Sequence, residues 1–306
     1  FVLSYVTGSH AFKAGFNLME GQHWTRRDVN GDMSFQFLNG APNRITIYAT
    51  PLNYYETLKG DHGFFAQDQW TLNRLTLNMG VRLDYLNTYV PEQHSAPARF
   101  VGARDFAPVY DVPNWKDLSP RLGLSYNVFG TGKTAVKVSM GRYMFGVLAG
   151  IARANNPVQT SVISATRSWS DNNRNFVPDG DFGNPLLNNE LGPLSDLGFG
   201  GTRVTTRYDP DTLTGWGKRL DNWESSVSIQ HEVVPGLMAN VAYHRRSYGH
   251  FTTTDNLEVA PGDFSSYCIT GPVDARLPDG GGNQICGLYD VTPAKFGRVN
   301  NLVTFT

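Results

Sequence analysis

Between positions 75 and 85 the chain alternates without a break. Leu75, Leu77, Met79, Val81, Leu83 and Tyr85 are apolar or aromatic, and Thr76, Asn78, Gly80, Arg82 and Asp84 between them are polar or small. Strict period two dictates a β-strand with one apolar and one polar face. A strand of a soluble sandwich usually runs about 5–6 residues. A strand that crosses a bilayer in a barrel needs about 10, and only every second residue must be apolar. The length of this run therefore points to a transmembrane barrel, with the odd positions toward lipid and the even positions toward a wet lumen.

Shorter runs repeat the pattern. Phe12, Ala14, Phe16 and Leu18 alternate with Lys13, Gly15 and Asn17. Leu122, Leu124, Tyr126 and Val128 alternate with Arg121, Gly123, Ser125 and Asn127. Val136, Val138 and Met140, and later Leu237, Ala239, Val241 and Tyr243, do the same. Segments 61–70 and 222–233 are less regular strands. Short turns are expected at 7–9, 71–74, 129–133 and 234–236. Long loops are expected at about 21–60, 90–117, 147–221 and 250–299, with a small hairpin at 33–50 inside the first. Outer-membrane barrels have short periplasmic turns and long external loops. The expectation is an all-β, antiparallel transmembrane barrel of about nine strands, four hairpins and a last half formed by 302–306. Trp70, Tyr85, Tyr89, Trp223, Tyr243 and Tyr248 stand near strand ends, where amphipathic rings favour the membrane interface.

Composition is compatible with this reading and excludes others. Only 17% of the 306 residues are charged, against about one quarter for a soluble domain. The net charge of −1 argues against a nucleic-acid partner, which normally demands a basic surface. No apolar run approaches the length of a membrane helix. Both ends read as strands cut short, which predicts an internal fragment.

Four motifs bear on chemistry. Gly130-Thr131-Gly132-Lys133-Thr134 resembles the end of a phosphate-binding loop, but Asn127 stands where the first glycine belongs and Thr134 opens a strand. The segment is expected to be a hairpin turn. Asp171, Asn173, Asn175 and Asp179 place oxygen side chains at positions 1, 3, 5 and 9, the pattern of a calcium loop over 171–181. The bland alternative is a solvated Asn/Asp-rich loop. Phe176 and Phe182 stand where an EF-hand needs Gly and Glu. Cys268 and Cys286 bracket a loop rich in glycine and proline, and a lone close pair fits a disulfide in an oxidising compartment. His244-Arg245-Arg246 lies toward a strand's outer end, as ordinary interface charge or as a contact for an anionic ligand or lipopolysaccharide phosphate. No enzyme signature is present, and no cofactor is required beyond the candidate calcium ion.

Gly63-Phe-Phe-Ala-Gln-Asp-Gln-Trp70, followed by Leu75-Thr-Leu-Asn-Met-Gly-Val-Arg-Leu-Asp84, resembles the barrel signature of TonB-dependent receptors. Leu118-Ser-Pro-Arg-Leu-Gly-Leu-Ser-Tyr126 and the strand running to Tyr143 are similar to it as well. Asn222-Trp-Glu224, Ser228-Ile-Gln-His-Glu232 and Gly287-Leu-Tyr-Asp290 resemble the Oar-like group, which carries a carboxypeptidase-regulatory-like N-terminal domain. The resemblance implies about nine strands of a 22-stranded barrel in the bacterial outer membrane, in contact with lipid and lipopolysaccharide. It also implies a plug opened by the TonB complex through an N-terminal region not among these residues, for uptake of iron chelates, cobalamin, glycans or peptides. Specificity would sit in the long loops and in lumen residues such as Arg82, Asp84 and Arg121. The competing expectation is a surface protein whose barrel anchors loops used in adhesion or assembly with protein partners.

Overall fold

The structure is a computed structural model and describes residues 1–306. Its dominant element is an antiparallel meander of eight strands, all but the first at least 11 residues long: β1 (Val2–Thr7), β2 (His10–Arg27), β3 (Leu52–Leu72), β4 (Leu75–Tyr89), β5 (Asn114–Asn127), β6 (Thr134–Met144), β7 (Asp221–Val234) and β8 (Leu237–Gly249). Each strand pairs with the next in sequence. The short turns fall where alternation stops. Gly8, at φ 53°, and Gly236, at φ 88°, occupy the left-handed region that tight hairpin turns require and glycine adopts without steric cost. The 130–134 motif is the turn between β5 and β6, as its sequence predicted; the Gly132 N–H donates to Asn127 Oδ1.

Register converts the alternation into two continuous faces, because directly opposed residues share a face. One row runs Lys13, Gln67, Gly80, Arg121, Gly141, Glu224, Arg246. The row beside it runs Ala11, Gln69, Asn78, Gly123, Ser139, Ser226, His244. The opposite face carries Phe16, Phe64, Leu83 and Leu118 in one row and Leu77, Leu124, Val138, Val227 and Tyr243 in another. Met79, Val81, Leu122, Val138, Val227 and Val241 on it are exposed and cover nothing in the chain. A soluble sheet would bury such a face, so its natural solvent is lipid. Trp70, Tyr85, Tyr89, Trp223 and Tyr243 lie on the apolar face; Tyr248 shares the polar face with Arg246, so it is not part of a lipid-facing girdle.

The strands are longer than the alternation shows. β2 has 18 residues and β3 has 21. About 10 residues suffice to cross a bilayer, so their long-loop ends project beyond it. No lipid lies against the outer face there, and folded loops cover part of the inner one, so the spanning rhythm is lost, which is why the sequence read 21–60 as one loop. The first two connections, 28–51 and 90–113, are shorter than expected, while 145–220 and 250–300 lie where the sequence placed them; the first holds the expected hairpin, Met33–Leu38 with Ala41–Tyr48.

The chain divides into two compact units, one of residues 1–204, 210–251 and 305–306, the other of 205–209 and 252–304. The meander belongs to the first. In the second lie residues 301–304 of the terminal strand Asn301–Phe305, which is the centre of a three-stranded sheet, parallel to Thr206–Tyr208 and flanked on its other edge by Thr252–Asn256. The expected ninth meander strand is therefore absent: both edges of 301–305 are already occupied. A disulfide joins Cys268 and Cys286 across the hairpin Phe264–Thr270 with Gln284–Val291, as the sequence predicted. Closing this loop stabilises it by about 3 kcal/mol in the chain-entropy model.

The two faces predict unequal tolerance to charge. Val81→Arg is expected to cost about 2–4 kcal/mol if its position lies near the bilayer midplane. Gln69→Arg, on the polar face opposite Ala11 and Asn78, is expected to change stability by less than about 0.5 kcal/mol. Urea titration of the intact protein folding into phospholipid vesicles measures both, and equal costs would contradict the assignment of faces.

Candidate functional site

The buried hydrophobic cores all lie toward the long-loop ends. One comprises Ile45, Ile47, Ala165, Trp169 and Leu191, formed where Ser164–Ser168 pairs onto Ala41–Tyr48 and segment 169–200 folds across them. A second joins Leu52 and Tyr54 of β3 to Phe106 and Val158. A third joins Val90, Val112 and Ala152, with Leu213 against it. Register shows where the second core sits. Leu58 opposes Thr88, so Leu52, Tyr54 and Glu56 share the face of Thr88, Leu86 and Asp84, which is the polar inner face. Segments 93–113, 145–163 and 210–220 therefore fold inward over the ends of the strands.

Polar groups fix these segments in place. Glu56 and Asn156 are both fully buried. The Asn156 amide donates to Glu56 Oε1 (3.2 Å) and to the Tyr55 carbonyl (3.1 Å), while its Oδ1 accepts from Gln93 Nε2 (3.0 Å) and the Val158 N–H (3.1 Å). Glu56 Oε2 meets His23 Nδ1 at 2.9 Å, and Arg153 reaches the same imidazole. The Trp115 indole donates to the Thr212 carbonyl at 2.9 Å. Asp117, fully buried, pairs with Arg219 at 2.9 Å. A buried charge stripped of its partner costs several kcal/mol, so these contacts specify one loop arrangement. None of Glu56, Asn156, Gln93 or His23 stood out in the sequence, because each is a lone polar residue brought to its partners across 33 to 100 positions.

Where β5 and β6 diverge, Arg142 closes the fork. β6 pairs with β5 only as far as Gly141 opposite Arg121; beyond it, Thr214–Trp216 runs parallel to Asn114–Lys116. Arg142 donates to Asp221 Oδ2 (2.6 Å) and to the Leu118 carbonyl (3.3 Å). His250 also meets Asp221, at 2.6 Å.

On the inner face below the loops, Arg82 donates to Asp84 Oδ1 (2.8 Å) and to Asn17 Oδ1 (2.8 Å). A Cβ on Gly63 would collide with the Arg82 guanidinium, so the side chain lies in space that only glycine leaves open. Arg121 has no carboxylate partner and rests on the Tyr143 ring at 4.7 Å. Of the residues expected to line a lumen, Arg82 and Asp84 are joined and Arg121 stands apart. His244 and Arg246 point to the inner face and Arg245 to the apolar one.

The candidate calcium residues lie together in the first unit. Asp171 accepts the N–H groups of Asn175 (3.1 Å) and Phe176 (3.1 Å), Asn173 accepts that of Asn175 (3.0 Å), and Asn175 that of Val177 (2.6 Å). The Asn173 amide donates to Asp179 at 2.6 Å. The oxygens are of the hard class calcium takes, but they already accept these hydrogen bonds, and no group of three or more His, Cys, Asp or Glu side chains gathers here. The loop also closes through its own hydrogen bonds. Glu190 anchors its base: burial pushes this carboxyl's pKa up, but the N–H groups of Asp179, Asn172 and Asn173 outweigh that and hold it below the usual value. Its stabilisation is present above the unfolded pKa and is lost as pH falls through the lowered one. A calcium ion on Asp171, Asn173, Asn175 and Asp179 predicts that EGTA speeds proteolysis within 145–220 and that the D171A/D179A pair removes the response. No EGTA effect on the unaltered protein would mean the hydrogen bonds alone hold the loop.

Comparison with known proteins agrees with the architecture. No curated protein and no solved structure matches the chain. A family model described as an outer membrane beta barrel domain matches residues 2–302. With one face fit for lipid and one fit for water, the chain belongs to the outer membrane β-barrel domain family and is a protein of the bacterial outer membrane.

Proposed function

We propose that the chain is part of a TonB-dependent receptor of the Oar-like group, taking up a large or scarce ligand through an energy-coupled barrel. The observation that carries this reading is the loop layer. A pore that passes small solutes by diffusion needs an open mouth. Here segments 93–113, 145–163 and 210–220 pack onto the inner face with buried cores and a buried Glu56–Asn156 contact. Loops fixed against the inner face suit capture of a ligand that cannot simply diffuse through. The resemblance of 63–70, 75–84 and 118–126 to the receptor barrel signature supports the same reading. Ligand would be held by the loops and the inner wall, and then released inward by a plug that the TonB complex moves.

A second reading has its own support. Segment 145–220 and the hairpin 264–291 present exposed apolar side chains, among them Phe176, Leu186, Leu187, Leu197, Tyr267, Ile269 and Tyr289. Such residues suit adhesion or assembly with a surface protein. The two readings part on energy coupling. In the host, growth on iron chelates, cobalamin, glycans and peptides as limiting nutrients is compared with and without this gene, and again with and without TonB. Uptake predicts a growth defect on one nutrient that is equally severe in both deletions and not additive. A defect in surface attachment that persists unchanged when only TonB is deleted would overturn uptake in favour of anchoring.

A further inference from the structure

The inner wall carries more positive than negative charge at one place. Lys13, Arg121 and Arg246 lie in one row, His244 in the next, and Lys137 on the same face of β6. The carboxylates among them are already taken: Asp84 by Arg82, and Glu224 by Arg246 together with the Asn222 amide at 2.9 Å. Lys13, Arg121, Lys137 and His244 are exposed and have no carboxylate partner within these 306 residues. Unpaired cations on a wall of mixed small, polar and aromatic side chains are a poor device for stability. They are a good one for holding an anion.

Arg121 is the centre of this patch. Its neighbours in the row, Gly80 and Gly141, have no side chains, and Gly123 follows two positions along β5. The wall is recessed on both sides of it. A cavity of about 520 Å³ opens on one side, lined by Lys13, Phe65, Gln67, Asn78 and Arg82 as well as Arg121. A cavity of about 510 Å³ opens on the other, lined by Ser139, Tyr143, Glu224, His244 and Arg246 as well as Arg121. Each is within the range of small-molecule sites, about 300–1,000 Å³. The Arg121 guanidinium lies over the Tyr143 ring, which restrains it and leaves its N–H edge for a ligand. A planar fork of donors matches carboxylate and phosphate. Gln67, Asn78, Ser139 and Ser226 would meet hydroxyl groups on either side.

We infer that the Arg121 patch is a binding site for an anionic, polyhydroxylated solute, one that presents a carboxylate or a phosphate to Arg121 and hydroxyls to the neighbouring amides and serines. This rests on the transport reading in one respect: it takes the inner face to be a ligand path. Two neighbouring recesses sharing one cation suit an extended molecule such as an acidic oligosaccharide better than a single small anion.

The test is calorimetric titration of the intact, detergent-solubilised protein with trigalacturonate, with glucose 6-phosphate and with maltotriose as the neutral counterpart. Binding of at least one anionic probe is expected, with maltotriose much weaker. Arg121→Gln should weaken it about tenfold or more, because a charge-assisted bidentate contact is lost. Arg74→Gln, the same charge change at the 73–74 turn, should leave it unchanged. Raising salt from about 0.05 M to about 0.5 M should weaken it, as the Debye length shrinks severalfold. Heat-modifiable gel migration confirms that each variant is folded, and Lys137→Gln gives a second reading if Arg121→Gln is not. Trigalacturonate alone would assign a carboxylate, and glucose 6-phosphate alone a phosphate. Equal binding of maltotriose, no effect of Arg121→Gln in a folded protein, or no binding of any probe would overturn the inference; the last would mean that protein covers the wall. Because the titration does not involve TonB, the site can stand where energy-coupled uptake fails, and the reverse.

Discussion

The backbone ladder from β1 to β8 is the constraint on which everything else depends. In lipid no water is present to satisfy an N–H or a carbonyl, so each spanning strand must be bonded on both sides by its neighbours. That requirement fixes the register, and the register fixes the faces. A slip of one residue would turn Arg82, Arg121 and Arg246 into lipid and Val81, Leu122 and Val138 into the lumen. The penalty for an arginine at the bilayer midplane, about 2–4 kcal/mol each, makes a slipped arrangement prohibitive over several strands. The same register brings Gly80, Gly123 and Gly141 beside Arg121 and leaves the wall recessed there.

Beyond the bilayer the physics changes and so does the architecture. The projecting ends of β2, β3 and β4 meet water, and the chain there builds hydrophobic cores of the ordinary soluble kind. Ile45, Ile47, Trp169 and Leu191 bury one another, and Leu52 and Tyr54 draw Phe106 and Val158 over the inner face. Arg167 is buried in the same region without a direct carboxylate contact; its guanidinium donates to the carbonyls of Gly192, Asp181 and Leu186. Five donors on a planar group can close several loop carbonyls at once, which is how an irregular segment is held without regular structure.

How much of this was legible follows from the same division. Lipid and water write on every residue of a spanning strand, so 75–85 and its shorter counterparts disclosed the faces, the turns and the order of hairpins. The disulfide was legible because only two cysteines exist and both stand in one loop. The upper strand ends were not, because no lipid imposes alternation on them, and the strand at 301–305 looked like another spanning strand until its two edges proved to be occupied. The inward packing of the loops had no local signal. It depends on pairs such as Trp115 with Thr212 and Glu56 with Asn156, about 100 positions apart in sequence. Arg121 was visible as a lumen residue, but its lack of a partner was not, since that depends on which carboxylates Arg82 and Arg246 occupy.

The assignment of the two faces is tested most directly along β4. Cys268 and Cys286 are paired, so once any thiol outside these 306 residues is replaced by serine, an introduced cysteine is the sole free one. A fluorophore is attached at Asn78→Cys, Met79→Cys, Val81→Cys and Arg82→Cys in turn, in the intact protein reconstituted into vesicles, and quenched by brominated lipid or by aqueous iodide. The account predicts that positions 79 and 81 are quenched by the lipid and positions 78 and 82 by iodide. Quenching of all four by the same agent would contradict it.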